Sequence, residues 1–213
     1  MHNSRMSPGV EPPEDKLTLR RRLRAQRRSR APERDREADA KAIAAAASAF
    51  LDTLSQQARG PGEHPAYVEQ VRVAIYLSLP TEPPTHALAE MLHARGAAVI
   101  VPEMLPDRDL DWHELAADGG RGPELGLEAI AGALVILTPA LAVDHSGTRL
   151  GQGGGSYDRA LARRSPDATV IAIVNDQEYA AWPLPRDAHD VPVHAVITPG
   201  AGLSPIPGRG SVA

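Results

Sequence analysis

The segment with the most chemical potential reads TPALAVDHSGTRLGQGGGSYDRAL, from Thr138 to Leu161. It holds Gly147, Gly151, Gly153, Gly154 and Gly155, then Ser156-Tyr157-Asp158-Arg159 at an expected helix start. Glycines let backbone N–H groups turn toward an anion and approach it closely. A helix start adds free N–H groups and a positive dipole end, and Ser156 is the expected N-cap. Arg149 offers a cation suited to phosphate. On the glycines alone two readings stay open, a phosphate cradle and a flexible connector. No Gly-Lys-Ser/Thr is present, so the loop is not a Walker A motif. No strand is expected directly before Gly151-Gln152-Gly153, which argues against a dinucleotide fingerprint.

Other residues could join such a site. Asp158 could stabilise the helix dipole or, beside a polyphosphate, hold Mg²⁺. Asp190, in LPRDAHDVPVHAVIT, is a second acidic candidate or part of an ordinary turn. Lys16 and Arg20 stand at i, i+4 on one helix face, where two cations could reach a phosphate or simply face solvent. Arg21, Arg22, Arg24, Arg27, Arg28 and Arg30 are read as a solvated face. Glu82, in YLSLPTE, could accept N–H groups from a heterocycle or start a helix. Trp112 and Tyr157 could stack on a flat ligand or pack in the protein. The eight His show no metal-ligand spacing, and no Ser-His-Asp arrangement is supported.

These residues must be positioned by regular elements. The apolar stripe Leu17, Leu19, Leu23 predicts a helix over 15–30, and Pro32 suits the first turn of the next one. There Ile43, Ala46, Ala47, Phe50, Leu51 and Leu54 fall at amphipathic helical spacing. Residues 58–66 read as a Gly/Pro-rich loop. Val71–Leu79 reads as a strand and Pro83–Arg95 as a helix. Continuous apolar runs follow at Ala97–Val101 (ended by Pro102), Ala133–Thr138, Thr169–Val174 and Val193–Thr198. Such runs, alternating with helices, predict strands buried on both faces. The expectation is an α/β fold: a three-layer α/β/α sandwich with a mostly parallel, Rossmann-like sheet. Ligands of such sheets bind beyond the carboxyl ends of the strands. Residues 1–14 are read as a disordered leader, 15–202 as one domain and 203–213 as a disordered tail.

Composition sets outer bounds. The 213 residues suit one domain. Aromatics are only 3%, so the core must rest on Ala, Val, Leu and Ile. With no Cys, disulfides and thiolate chemistry are excluded. A net charge of −4 gives no general drive toward nucleic acid. No apolar run is long enough to span a bilayer. A cytoplasmic monomer without membrane or nucleic-acid partners is expected.

In chain order the pieces are K-x-x-x-R, YLSLPTE, RLGQGGGSYDR and LPRDAHDVPVHAVIT. Together they resemble the 5-formyltetrahydrofolate cyclo-ligase (methenyltetrahydrofolate synthetase) family over roughly residues 15–199. The resemblance implies ATP and 5-formyltetrahydrofolate as substrates and Mg²⁺ as cofactor. It implies phosphorylation of the formyl oxygen, attack by N10, and release of ADP and phosphate. ATP contacts would fall on Lys16, Arg20 and Arg149, on Leu150, Gly151, Gln152, Gly153, Gly154 and Gly155, and on Ser156 and Tyr157. Folate contacts would fall on Leu77, Glu82 and Gly153 to Ser156, and metal contacts on Asp158 and Asp190. Arg149 and Tyr157 are the expected catalytic pair. The chain departs from the family pattern at Gln152, Gly154, Ser156 and His194, and Gly122-Pro123-Glu124 has the order of a usual segment changed. A non-catalytic nucleotide- or folate-binding relative, and an RNA-associated protein using the basic helix, are the alternative readings.

Overall fold

The computed structural model describes residues 14–58 and 71–209. The expected leader up to residue 13 and most of the 58–66 loop lie outside them. The chain opens with α1 (Lys16–Arg30), capped by Asp15, whose carboxylate accepts the N–H groups of Leu17 and Thr18. Pro32 falls in a single 3-10 turn, Ala31–Glu33, between two helices and not inside the second. Then comes α2 (Arg36–Ala58). Strand β1 (Arg72–Ala74), helix α3 (His86–Ala94) and strand β2 (Ala98–Met104) follow. Strands β3 (Leu110–Leu115) and β4 (Arg121–Glu124) form a hairpin, and β5 is Val135–Pro139. Short strands β6 (Ala142–Asp144) and β7 (Arg149–Leu150) lead into α4 (Ser156–Ala162). The chain closes with β8 (Thr169–Ile173), β9 (Tyr179–Ala180), β10 (Ala195–Thr198) and β11 (Gly202–Pro205).

Eight strands form one sheet in the order β11-β10-β8-β5-β1-β2-β3-β4. The run from β10 to β2 is parallel, and β3, β4 and β11 are antiparallel additions. Successive side chains on a strand point to opposite faces. Val73 and Ile75, Val135 and Leu137, and Ile171 and Ile173 therefore pack under α2 and α3 with Ile43, Phe50, Leu51, Leu88 and Leu92. Ala74, Ile136, Val170 and Ala172 pack on the opposite face with Ala160 and Leu161 of α4. Both faces are covered, which explains the continuous apolar runs. The α/β expectation, with a mostly parallel sheet between helices, holds. A second sheet, β7-β6-β9, carries a third cluster in which Leu19 and Leu23 of α1 meet Leu141, Leu150 and Leu184.

Several boundaries differ from the sequence reading for identifiable reasons. The expected strand 71–79 leaves the ladder after Ile75, where Thr85 Oγ1 takes the Tyr76 carbonyl and Ser78 pairs with Thr85. Prolines 83 and 84 delay α3 to His86, because the residue before a proline avoids helical backbone. Pro102 does not end β2. The β1 pairing stops at Ile100, so a missing N–H on that side is harmless. The expected tail from residue 203 is ordered through Arg209 and begins with β11, which pairs with β10 and seats Ile206 in the core. Trp112 is not a ligand platform: it is fully buried beneath the sheet.

Candidate functional site

One cleft of about 600 Å³ opens over the carboxyl ends of the parallel strands. The chain after β1 brings Tyr76, Leu77, Leu79 and Glu82; β2 and β3 bring Pro102, Met104 and Leu110; β5 brings Pro139. Helix α1 contributes Lys16 and Arg20, and the 187–190 turn contributes Asp187, His189 and Asp190. Arg149 and the stretch Gly151 to Asp158 complete the lining. Among the predicted site residues only Leu150 stays out of the lining. Its side chain is buried in the third core cluster, which leaves it a structural role.

The glycine loop follows β7 directly, so a strand does precede Gly151. That strand belongs to the small sheet, pairing antiparallel with β6, and is no part of a parallel βαβ unit. Gly153 has φ +100° and Gly155 φ +68°, values that favour glycine. Gly155, not Ser156, is the residue before the first turn of α4. Among the described residues, the N–H groups of Gln152, Gly153, Gly154 and Gly155 donate no backbone hydrogen bond. Unpaired N–H groups on a glycine-rich turn form a concavity for an anion. Gly147 lies apart from this loop. It closes the β6–β7 turn, and a Cβ there would sit 2.6 Å from the Val193 carbonyl oxygen.

Arg149 has a side chain only 3% exposed, and Asp158 answers it with a 2.5 Å ion pair. Burial pulls the guanidinium below its ordinary value, while Asp158 pulls it back up. Arginine nonetheless stays the cation at neutral pH. Its carbon stands 5.8 Å from the Tyr157 ring centroid. Arg149 Nε and Tyr157 Oη are buried without a partner among the described residues. Burial also holds the Tyr157 phenol well above its usual range, so the hydroxyl keeps its proton.

At the start of α1, Lys16 Nζ donates to Asp190 at 2.6 Å and to Asp187 at 2.7 Å. Burial opposes the ammonium charge, but the two carboxylates outweigh it and raise its pKa. For Asp190 burial favours the neutral acid, yet Lys16 and the Asp187 N–H hold its pKa down. Asp187, His189 and Asp190 present ligand atoms all within 4.8 Å of one another. Sequence reasoning named only Asp190 of these three; the acid at 187, three residues upstream in the same turn, was a usable signal. Asp158 lines the same cleft but is not in this group, because Oδ1 is drawn to Arg149.

Glu82 is buried, and its Oε2 accepts the Leu79 N–H at 2.9 Å. Leu77, Leu79 and Met104 stay exposed at the cleft and give it an apolar lining among its polar groups. The solvated-face reading holds for Arg21, Arg22, Arg28 and Arg30, which stay exposed, but not for Arg24 and Arg27. Arg22 makes a surface pair with Glu14, whereas half-buried Arg24 binds Gln152. Arg27 is buried against Glu178 at 2.6 Å and donates to the Ala140 carbonyl. His194 lies off the cleft, where its Nδ1 accepts the Val170 N–H.

A doubly wound α/β sheet with a glycine loop, buried cations and carboxylates at its strand ends defines the class of protein. A family model described as the 5-formyltetrahydrofolate cyclo-ligase family matches residues 12–199. The chain belongs to that family, and it is an enzyme of the ligase class. A 5-formyltetrahydrofolate cyclo-ligase of Mycolicibacterium smegmatis is 39% identical over 146 residues, 62% of this chain and 75% of that one. A namesake from Escherichia coli K12 is 31% identical over 150 residues, 64% of this chain and 82% of its own. Among solved structures, the Aquifex aeolicus 5,10-methenyltetrahydrofolate synthetase superposes with TM-score 0.61 at 22% identity, covering 92% of this chain and 95% of that one. The Mycoplasma pneumoniae synthetase gives 0.60 at 16% identity, covering 86% and 98%. At those identities the structures attest the fold.

Proposed function

We propose that this cleft closes the ring of 5-formyltetrahydrofolate to give 5,10-methenyltetrahydrofolate, with ATP converted to ADP and phosphate. The observation that carries the reading is the cleft's mixed lining. Lys16, Arg20, Arg149 and the unpaired loop N–H groups share it with apolar Leu77, Leu79, Met104 and Leu110. A polyphosphate fits the former and a flat pterin ring the latter.

The chemistry asks for both. A formyl oxygen on N5 is a poor leaving group until it takes the γ-phosphoryl group of ATP. N10 then attacks the activated carbon, the C–O bond breaks, phosphate departs, and the N10 proton is lost to it or to solvent. Phosphoryl transfer mostly needs positioning and charge neutralisation. Lys16, Arg20 and the loop N–H groups would hold the phosphates, and Arg149 would stabilise the transferring group. The Tyr157 phenol, protonated and facing the cleft beside Arg149, would orient the formyl group. Glu82, with Oε2 engaged at Leu79, would accept pterin N–H groups through Oε1. Asp190, assisted by Asp187 and His189, would hold Mg²⁺, while Asp158, in the same cleft, answers Arg149. The donor set fits, since carboxylates gather within ligand reach in a cleft that also carries the phosphate cations. When bound, the metal would neutralise charge on the phosphates during transfer. The apolar lining would keep water from the phosphorylated intermediate.

The test mixes protein, 5-formyltetrahydrofolate, ATP and Mg²⁺ and follows the ultraviolet band of the methenyl product. A rise that needs all components, with ADP formed in equal amount, is the expected result. ATP binding without any rise would move the reading to a non-catalytic relative.

A further inference from the structure

We propose that Arg24, outside the cleft, is a positioning residue that turns the glycine loop toward its nucleotide. This rests on the ATP reading above. Three loop carbonyls are held by arginine side chains. Arg20 Nε donates to the Gly151 carbonyl at 3.0 Å, and Arg24 Nη2 to the Gln152 carbonyl at 2.5 Å. Arg159 Nη1 reaches the Gly154 carbonyl at 3.4 Å. Arg24 also grips the Gln152 side chain, Nε to Oε1 at 2.8 Å, so its guanidinium fixes one residue at two points.

Peptide geometry converts that grip into function. No described peptide bond is cis. In a trans peptide the carbonyl and the following N–H point in opposite directions. Drawing the Gly151 and Gln152 carbonyls toward α1 therefore aims the N–H groups of Gln152 and Gly153 the other way. Those are among the N–H groups with no backbone acceptor among the described residues. Gly153 suits the same arrangement through its φ of +100°, and the Arg20 guanidinium packs in contact range of its Cα, 3.4 Å from where a Cβ would stand. The base of the lever is rigid. Leu19 and Leu23 anchor α1 in the core, and Arg27 and Lys16 fix its two ends. Arg24 does not line the cleft, so it acts through the loop.

The experiment compares Arg24→Ala and Arg24→Lys with the parent. ATP binding is measured by calorimetry with Mg²⁺ present, and the folate KM at saturating ATP. Losing a charged hydrogen-bond donor should weaken ATP binding about tenfold in Arg24→Ala while the folate KM stays within about twofold. Arg24→Lys should recover part of the loss through one bond to the Gln152 carbonyl. Unchanged ATP affinity in Arg24→Ala overturns the role. Equal loss of ATP and folate binding with a lowered Tm also overturns it, leaving Arg24 a structural anchor. A parent that binds no ATP removes the ATP reading itself, and this role with it.

Discussion

Replacing Asp158 with Asn would look, on sequence grounds, like a clean removal of a metal charge at an exposed helix start. The ion pair with Arg149 says otherwise. The Arg149 side chain is 3% exposed and the Asp158 side chain 23%, so the substitution strands a buried guanidinium. Breaking a fully buried pair costs about 3–5 kcal/mol. Partial exposure of Asp158, and the amide oxygen that Asn retains, bring the expected loss to about 2 kcal/mol. For a chain of this size each kcal/mol moves Tm by roughly 2–4 °C, so Tm should fall by about 4–8 °C. Activity should fall as well, since Arg149 would lose its fixed orientation. A charge-assisted hydrogen bond contributes about 1.5–3 kcal/mol, which corresponds to roughly 10- to 100-fold in kcat/KM. Thermal unfolding without ligands and the methenyl-product assay measure the two effects separately. The Mg²⁺ concentration for half-maximal rate should rise more for Asp190→Asn than for Asp158→Asn. A Tm within about 1 °C of the parent together with a rate within about twofold would refute the coupling.

Lys16→Ala should weaken ATP binding more than folate binding, by about tenfold for a lost charged contact, and titration of each substrate separates the two. Glu178→Ala leaves Arg27 buried and unpaired, so urea unfolding should show a loss of about 3–5 kcal/mol with the midpoint displaced; a change under about 1 kcal/mol would contradict the assigned burial. Acid should destabilise the fold through Asp190 and Asp109, the latter held down chiefly by Arg163. A depressed carboxylate adds stability that is present above its unfolded value and is lost as pH falls through the folded one, so Tm should decline below about pH 4. The raised Lys16 has the opposite sense, its contribution intact at neutral pH and lost only as pH rises past about 10. A Tm flat between about pH 6 and pH 3 would oppose the acid prediction.

The parallel strands were legible because both faces of the sheet are buried, so Thr169–Val174 and Val193–Thr198 read as unbroken apolar runs. The hairpin β3–β4 was not, since Arg121–Glu124 is an exposed edge with no apolar signal and Trp112 stands among charged neighbours. The glycine loop and the positions of Lys16, Arg20 and Asp190 were visible from residue type and spacing. The partnership of Asp158 with Arg149 was not, although the two are nine positions apart, because a short strand and a turn fold them together. Arg27 was the largest misreading. A helical stripe of arginines looks solvated unless the sequence reveals a buried acid to meet it, and Glu178 lies 151 positions away.

That separation has a consequence for how the enzyme comes into being. Lys16 meets its carboxylate partners across 171 and 174 positions, so it waits for nearly the last strand before its charge is answered. At ribosomal speeds of about 5–20 residues per second, that wait lasts roughly ten to thirty seconds. During it Lys16 lacks both carboxylates, and the cleft is incomplete. The site is therefore assembled only once translation has passed Asp190, and a ligand that needs the complete cleft acts as a selector for finished chains.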